Sequence, residues 1–167
     1  MINVFKQCSI GIILLLMIFS SGGLQAQKYN FESKAAKKLY TKLEKSYDIY
    51  DYGYILENEQ NLLSSFEQKK DTLTAHVNSF LAESYISHTG ELNKGLEYYN
   101  KEIKLRGEIQ ADDEYEKTDL LLNMATLYDE LGYYDKSEEL YFEILAADEK
   151  QYGKKNENYL ESALALA

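Results

Sequence analysis

Proline and tryptophan are absent from this 167-residue chain, and cysteine occurs once. With no proline to interrupt it, the backbone favours long helices over the short, frequently turned segments of a β fold. The single thiol, Cys8, falls within the first 27 residues. A chain trimmed there could form no disulfide in any compartment and would hold together by packing alone. Positive charge is scarce too: 18 Lys+Arg stand against 28 Asp+Glu, a net charge of −10 with pI ≈ 4.7. That balance argues against non-specific nucleic-acid binding, which depends on Lys and Arg displacing counterions. Only two histidines occur, His76 and His88, and their separation does not give the adjacent-turn geometry of a two-His metal site. Asp112-Asp113-Glu114 lacks the alternating ligands and central glycine of a calcium loop and reads as a linker with helix-starting acids. No glycine-rich phosphate loop or nucleophile elbow is present. No catalytic residue, cofactor or metal is expected. What the chain has in quantity is apolar material, 45% of residues, and 16 tyrosines, enough for a packed core rather than disorder.

Residues 1–26 read as a signal peptide. Lys6 precedes the apolar run Ile10 to Phe19, which is too short for the roughly twenty residues of a spanning helix. Ser20-Ser21-Gly22-Gly23 follows, and Leu24-Gln25-Ala26 offers a cleavage site. Cys8 precedes the apolar core, the wrong side for lipid attachment. The protein is therefore expected to be exported, periplasmic or secreted to the surface of a bacterium. Membrane association after cleavage would be peripheral, not integral.

From Phe31 onward the apolar spacing is helical, with no strand alternation. Ala36, Leu39, Tyr40, Leu43, Tyr47 and Tyr50 share one face. Ile55, Leu56, Leu62, Leu63 and Phe66 continue in a second segment, and four more segments follow. The spacing predicts six helices of roughly 12 to 16 residues joined by short turns. Residues 27–72 read as a degenerate N-terminal hairpin and residues 73–167 as repeats.

The punctuation recurs at a fixed stride. An offset of 42 carries Gly90 to Gly132, Lys94 to Lys136, Gly95 to Ser137, Tyr99 to Tyr141 and Ile103 to Leu145. Ala82 to Ala125 and Tyr85 to Tyr128 are one residue longer, which implies an extra residue in the turn before Gly90. Two helices per period is the signature of a helical solenoid. Ala82 and Ala125, with Gly95 and Ser137 opposite them, are small so that paired helices can approach. Gly90 and Gly132 are placed to end the first helix in a left-handed conformation.

The stretch Leu121-Leu122-Asn123-Met124-Ala125-Thr126-Leu127-Tyr128 through Leu140-Tyr141, with its continuation to Gly153, resembles a tetratricopeptide repeat of the 42-residue variety found in kinesin light chains and many exported bacterial proteins. The resemblance covers residues 115–153 best, extends to 73–108, and includes the start of a further repeat at 156–167. It lacks the family's tryptophan and closing proline, and places Glu102 and Ile144 where alanine is usual. The resemblance implies an all-α, right-handed superhelical solenoid of antiparallel hairpins whose inner groove binds a protein or peptide partner. Mapped through it, the groove residues are His76, Ser79, Glu83, Asp119, Asn123, Thr126, Asp129 and Glu130. Acids dominate that set, so a basic or polar partner is favoured over an acidic one. The alternative is a recruiting or sensory arm of a larger exported enzyme or receptor.

Two further features stand outside the repeats. Tyr47 to Tyr54 is dense in tyrosine and could form an aromatic docking patch. Residues 28–46 hold six lysines against Glu32 and Glu44, read as a solvated face, with anionic lipid or an acidic partner as the sharper alternative.

Overall fold

A computed structural model describes residues 31, 33–109 and 114–165. The expected signal peptide, Asp112, Asp113 and Ala167 lie outside the described residues. Every described element is helical: α1 (Lys34–Asp48), α2 (Tyr52–Glu57), α3 (Glu59–Phe66), α4 (Thr72–Ser84) with a π-helical turn (Tyr85–Thr89), α5 (Leu92–Glu108), α6 (Glu114–Glu130), α7 (Tyr134–Tyr152) and α8 (Glu157–Ala165).

Local chemistry sets the starts. The Ser33 hydroxyl accepts from the Ala36 N–H at 3.0 Å and opens α1. Asp71 accepts from both the Thr74 N–H at 2.8 Å and the Thr74 hydroxyl at 2.9 Å and opens α4. Each cap satisfies an N–H that a helix end leaves orphaned, worth about 1 kcal/mol.

Neighbours in sequence are neighbours in space. α4 packs along α5 and α6 along α7, α5 rests on α6, and α8 lies against α7. α1 packs on α2 and α3, both of which touch α4. A continuous apolar core runs from α1 to α6 through Tyr40, Leu43, Ile55, Leu62, Phe66, Leu81 and Met124. A smaller cluster of Leu121, Ala125, Tyr141 and Ile144 lies inside the α6–α7 hairpin, and Ile103 and Leu140 pack on both.

Both hairpin turns have the backbone their glycines suggest, with φ +72° at Gly90 and +77° at Gly132. The extra residue of the first hairpin is absorbed by the π-helical turn Tyr85–Thr89, the form a single insertion takes inside an α-helix. The small residues do bring helices together: Ala82 and Ala125 are fully buried. A Cβ on Gly95 would overlap the Ile86 side chain and lie 3.3 Å from the Ala82 carbonyl oxygen.

The structure corrects two expectations. The second segment is not one helix: α2 ends at Glu57 and α3 begins at Glu59, with Asn58 leaving helical geometry between them at φ −101° and ψ 7° while its side-chain amide donates to the Tyr54 carbonyl at 2.8 Å. The helices of the two hairpins also run longer than the 12 to 16 residues expected, with 17 in α5, 17 in α6 and 19 in α7.

Candidate functional site

The eight residues expected to line a groove fall on two helices with different surroundings. His76, Ser79 and Glu83, at spacings of three and four, share a face of α4 that turns toward α1 and α5. The Tyr40 hydroxyl lies 3.3 Å from His76 Nδ1. Two α-helical turns further on, the Tyr47 hydroxyl donates to Glu83. Phe80, between them, packs against both rings with centroids 6.4 and 4.4 Å away. His76 and Glu83 are thus engaged by the chain's own first helix.

Behind this seam is an acidic cluster that the sequence pattern did not single out as a site. Glu102 on α5 is 2% exposed, and its Oε1 accepts from Arg106 at 2.8 and 2.9 Å. Its Oε2 is buried with no hydrogen-bond partner. Burial pushes the Glu102 carboxyl upward, while Arg106, His76 and Ser79 hold it back. Glu83 is pushed up to about 7, first by burial and then by the Glu102 charge, with the Tyr47 hydrogen bond opposing. Glu44, facing the same histidine from α1, is also pushed up to about 7 by burial and by Asp48, with His76 opposing.

Carboxyls titrating near neutrality mark many active sites. Here they are packed into a helix seam rather than set in a cleft. Open, shallow depressions lie at the hairpin turns Gly90–Lys94 and Gly132–Lys136. Among the described residues, no three His, Asp or Glu side chains converge as metal ligands.

The α6 set is more open. Thr126 and Glu130 are exposed, while Asp119, Asn123 and Asp129 are half-buried. Asp129 accepts from the Tyr141 hydroxyl at 3.4 Å, and Thr126 donates to the Leu122 carbonyl at 3.0 Å. Asp119, Asn123, Thr126 and Glu130 recur every three or four residues and form one strip along the helix.

In the Tyr47 to Tyr54 patch, Tyr47 and Tyr52 meet edge to face at 6.0 Å and Tyr50 and Tyr52 at 6.1 Å. Tyr52 is buried and Tyr50 exposed, so half of the patch is packing. No helix among the described residues is long and apolar enough to cross a membrane. No family model, curated protein or solved structure matches the chain.

Proposed function

We propose that the chain is an exported, non-catalytic scaffold of the tetratricopeptide type, its hairpins stacked in a right-handed superhelix, that binds a protein or peptide partner along the first helices of its hairpins. The observation that carries the reading is the equivalence of the α4–α5 and α6–α7 hairpins. They share left-handed glycines at Gly90 and Gly132, buried alanines at Ala82 and Ala125, and small residues opposite them at Gly95 and Ser137. Such pairs leave one helix of each unit facing a common groove.

With His76 and Glu83 engaged by α1, the contact surface centres on α6. Asn123 offers an amide that both donates to and accepts from an extended peptide backbone. Asp119 and Glu130 on the strip, with Asp129 beside it, give this side of α6 a negative field that favours basic or polar ligands over acidic ones.

The test is fluorescence anisotropy with labelled extended peptides of opposite charge. Lysine-containing peptides bind, and replacing Asn123 and Glu130 with alanine weakens them about tenfold, the scale of one or two lost hydrogen bonds, with helicity unchanged. Equal binding of acidic and basic peptides, or a double variant that binds as well as the parent, removes the assignment. A second reading draws on α8, where Leu160 and Leu164 are 51% and 75% exposed. A further packing layer would cover them, as in the recruiting arm of a larger exported enzyme or receptor.

A further inference from the structure

The chain's charge is −10, yet one helix carries a concentrated positive face. Lys34, Lys37, Lys38, Lys42 and Lys45 of α1 are all exposed. At 100° per residue they fall within an arc of roughly 140°, on the side away from Tyr40 and Leu43. Outside α1, five lysines find acids: Lys70 with Glu108, Lys94 and Lys101 with Glu97, Lys117 with Glu143, Lys154 with Glu149. Among the described residues, no carboxylate pairs with any of the five on α1. Lys42 instead stands over the Tyr54 ring at 4.1 Å.

We propose that this face of α1 docks the protein electrostatically on an anionic lipid surface. Three features favour a bilayer over an acidic protein. The face is a single helical strip about 17 Å long from Lys34 to Lys45, which lies flat on a plane. All five cations are lysines, point charges suited to a fluid layer of headgroups; the chain's one arginine, Arg106, is buried against Glu102. The bidentate forks by which proteins grip particular carboxylates are therefore missing from the strip. Within the arc only Thr41 lies among the lysines, and Asp48 closes its C-terminal end; the exposed Ile49 and Tyr50 come after the last lysine, in the turn to α2, so the lysine strip itself holds no apolar core of a protein interface. Docking by charge alone follows, worth roughly a fivefold change in partitioning per lysine and fading as salt shortens the screening length.

The experiment is co-sedimentation of the full chain with phosphatidylcholine vesicles, with and without phosphatidylglycerol, across a salt series, beside binding to soluble polyglutamate. Comparing the two vesicles isolates the charge-dependent part from any contribution of the apolar Ile10 to Phe19 run. The parent binds the anionic vesicles more tightly, salt abolishes the difference, replacing the five lysines with glutamine removes it, and replacing them with arginine retains it. Circular dichroism checks that the glutamine variant keeps its helicity. Equal sedimentation with both vesicles, or a glutamine variant that behaves as the parent, overturns the proposal. Binding to polyglutamate without binding to anionic vesicles overturns it in favour of an acidic protein partner.

Discussion

Glu102 and Ile144 occupy the same place in successive hairpins, 42 residues apart, and both are closed off from solvent. Where α7 fills this position with hydrocarbon, α5 fills it with a carboxylate held by Arg106 one turn on. A buried ion pair gives little net stability, because desolvating two charges offsets most of their attraction, but removing one partner strands the other. Arg106→Ala is therefore expected to destabilise the fold by about 3 to 5 kcal/mol. The double change Glu102→Ile with Arg106→Met, imitating the apolar solution of α7, recovers most of that loss. Urea denaturation of the three proteins decides it; a double variant as weak as the single one refutes the account.

The seam between α1 and α4 makes stability depend on pH. Glu44 and Glu83 have an ordinary value of 4.5 and are held at about 7 in the fold, chiefly by burial. The folded state thus keeps protons that the unfolded chain releases. Stability from these groups is complete below about pH 4.5, falls as pH rises toward about 7, and is lost above it. The change is on the order of 3 kcal/mol per group as an upper figure. Glu83→Gln still accepts the Tyr47 hydroxyl and cannot ionise, so its urea midpoint declines less steeply over that window and lies above the parent at neutral pH. A parent midpoint that rises through the window contradicts the assignment.

How far the sequence reaches is visible in particular residues. Gly90, Gly132, Ala82 and Gly95 were legible because their roles are set by backbone conformation and close approach, which residue type reports directly. The single-residue difference in stride likewise pointed to the place where the π-helical turn forms. The break at Asn58 was hidden because Ile55, Leu62 and Phe66 keep a helical period across it, and residue type does not announce it: Asn78 and Asn100 make the same bond to the carbonyl four residues back inside unbroken helices. The spacing of His76, Ser79 and Glu83 showed that they share a face. It could not show that Tyr40 and Tyr47, each 36 residues earlier, would meet that face, because such pairing is settled by tertiary packing. Glu102 stood out as a departure from alanine, but its containment by Arg106 and His76 is visible only in three dimensions.

Two glycines of α5 should respond in opposite ways to alanine. At Gly95 a methyl group runs into Ile86 and approaches the Ala82 carbonyl, so Gly95→Ala destabilises by about 1 to 3 kcal/mol through overpacking. Shortening its neighbour in Ile86→Ala/Gly95→Ala makes room, so the pair loses less than the two single changes summed. At Gly107 nothing lies within 4 Å of the added carbon, and alanine there stabilises by about 0.5 to 1 kcal/mol through the lower entropy of the unfolded chain. Thermal unfolding of the four variants measures both signs. Equal shifts at the two positions would show that contact with Ile86 is not what selects glycine at Gly95.

Tyr50 joins α1 to α2 with φ +58°, the only positive value at a non-glycine residue in the described chain. For a bulky side chain this left-handed conformation costs about 1 to 2 kcal/mol, since Cβ crowds the following carbonyl. The turn is held from both sides: the Tyr50 N–H donates to the Tyr47 carbonyl at 2.9 Å and the Asp51 N–H to the Ser46 carbonyl at 2.8 Å. Its ring gives back only an edge contact with Tyr52 and is 57% exposed. Tyr50→Asn, better suited to left-handed backbone, is expected to raise stability by about 0.5 to 1 kcal/mol, because relieved strain exceeds the lost ring contact. Tyr50→Val places a β-branched residue there and lowers it. If the order of thermal midpoints runs the other way, with valine above asparagine, the strain assigned to this residue is absent.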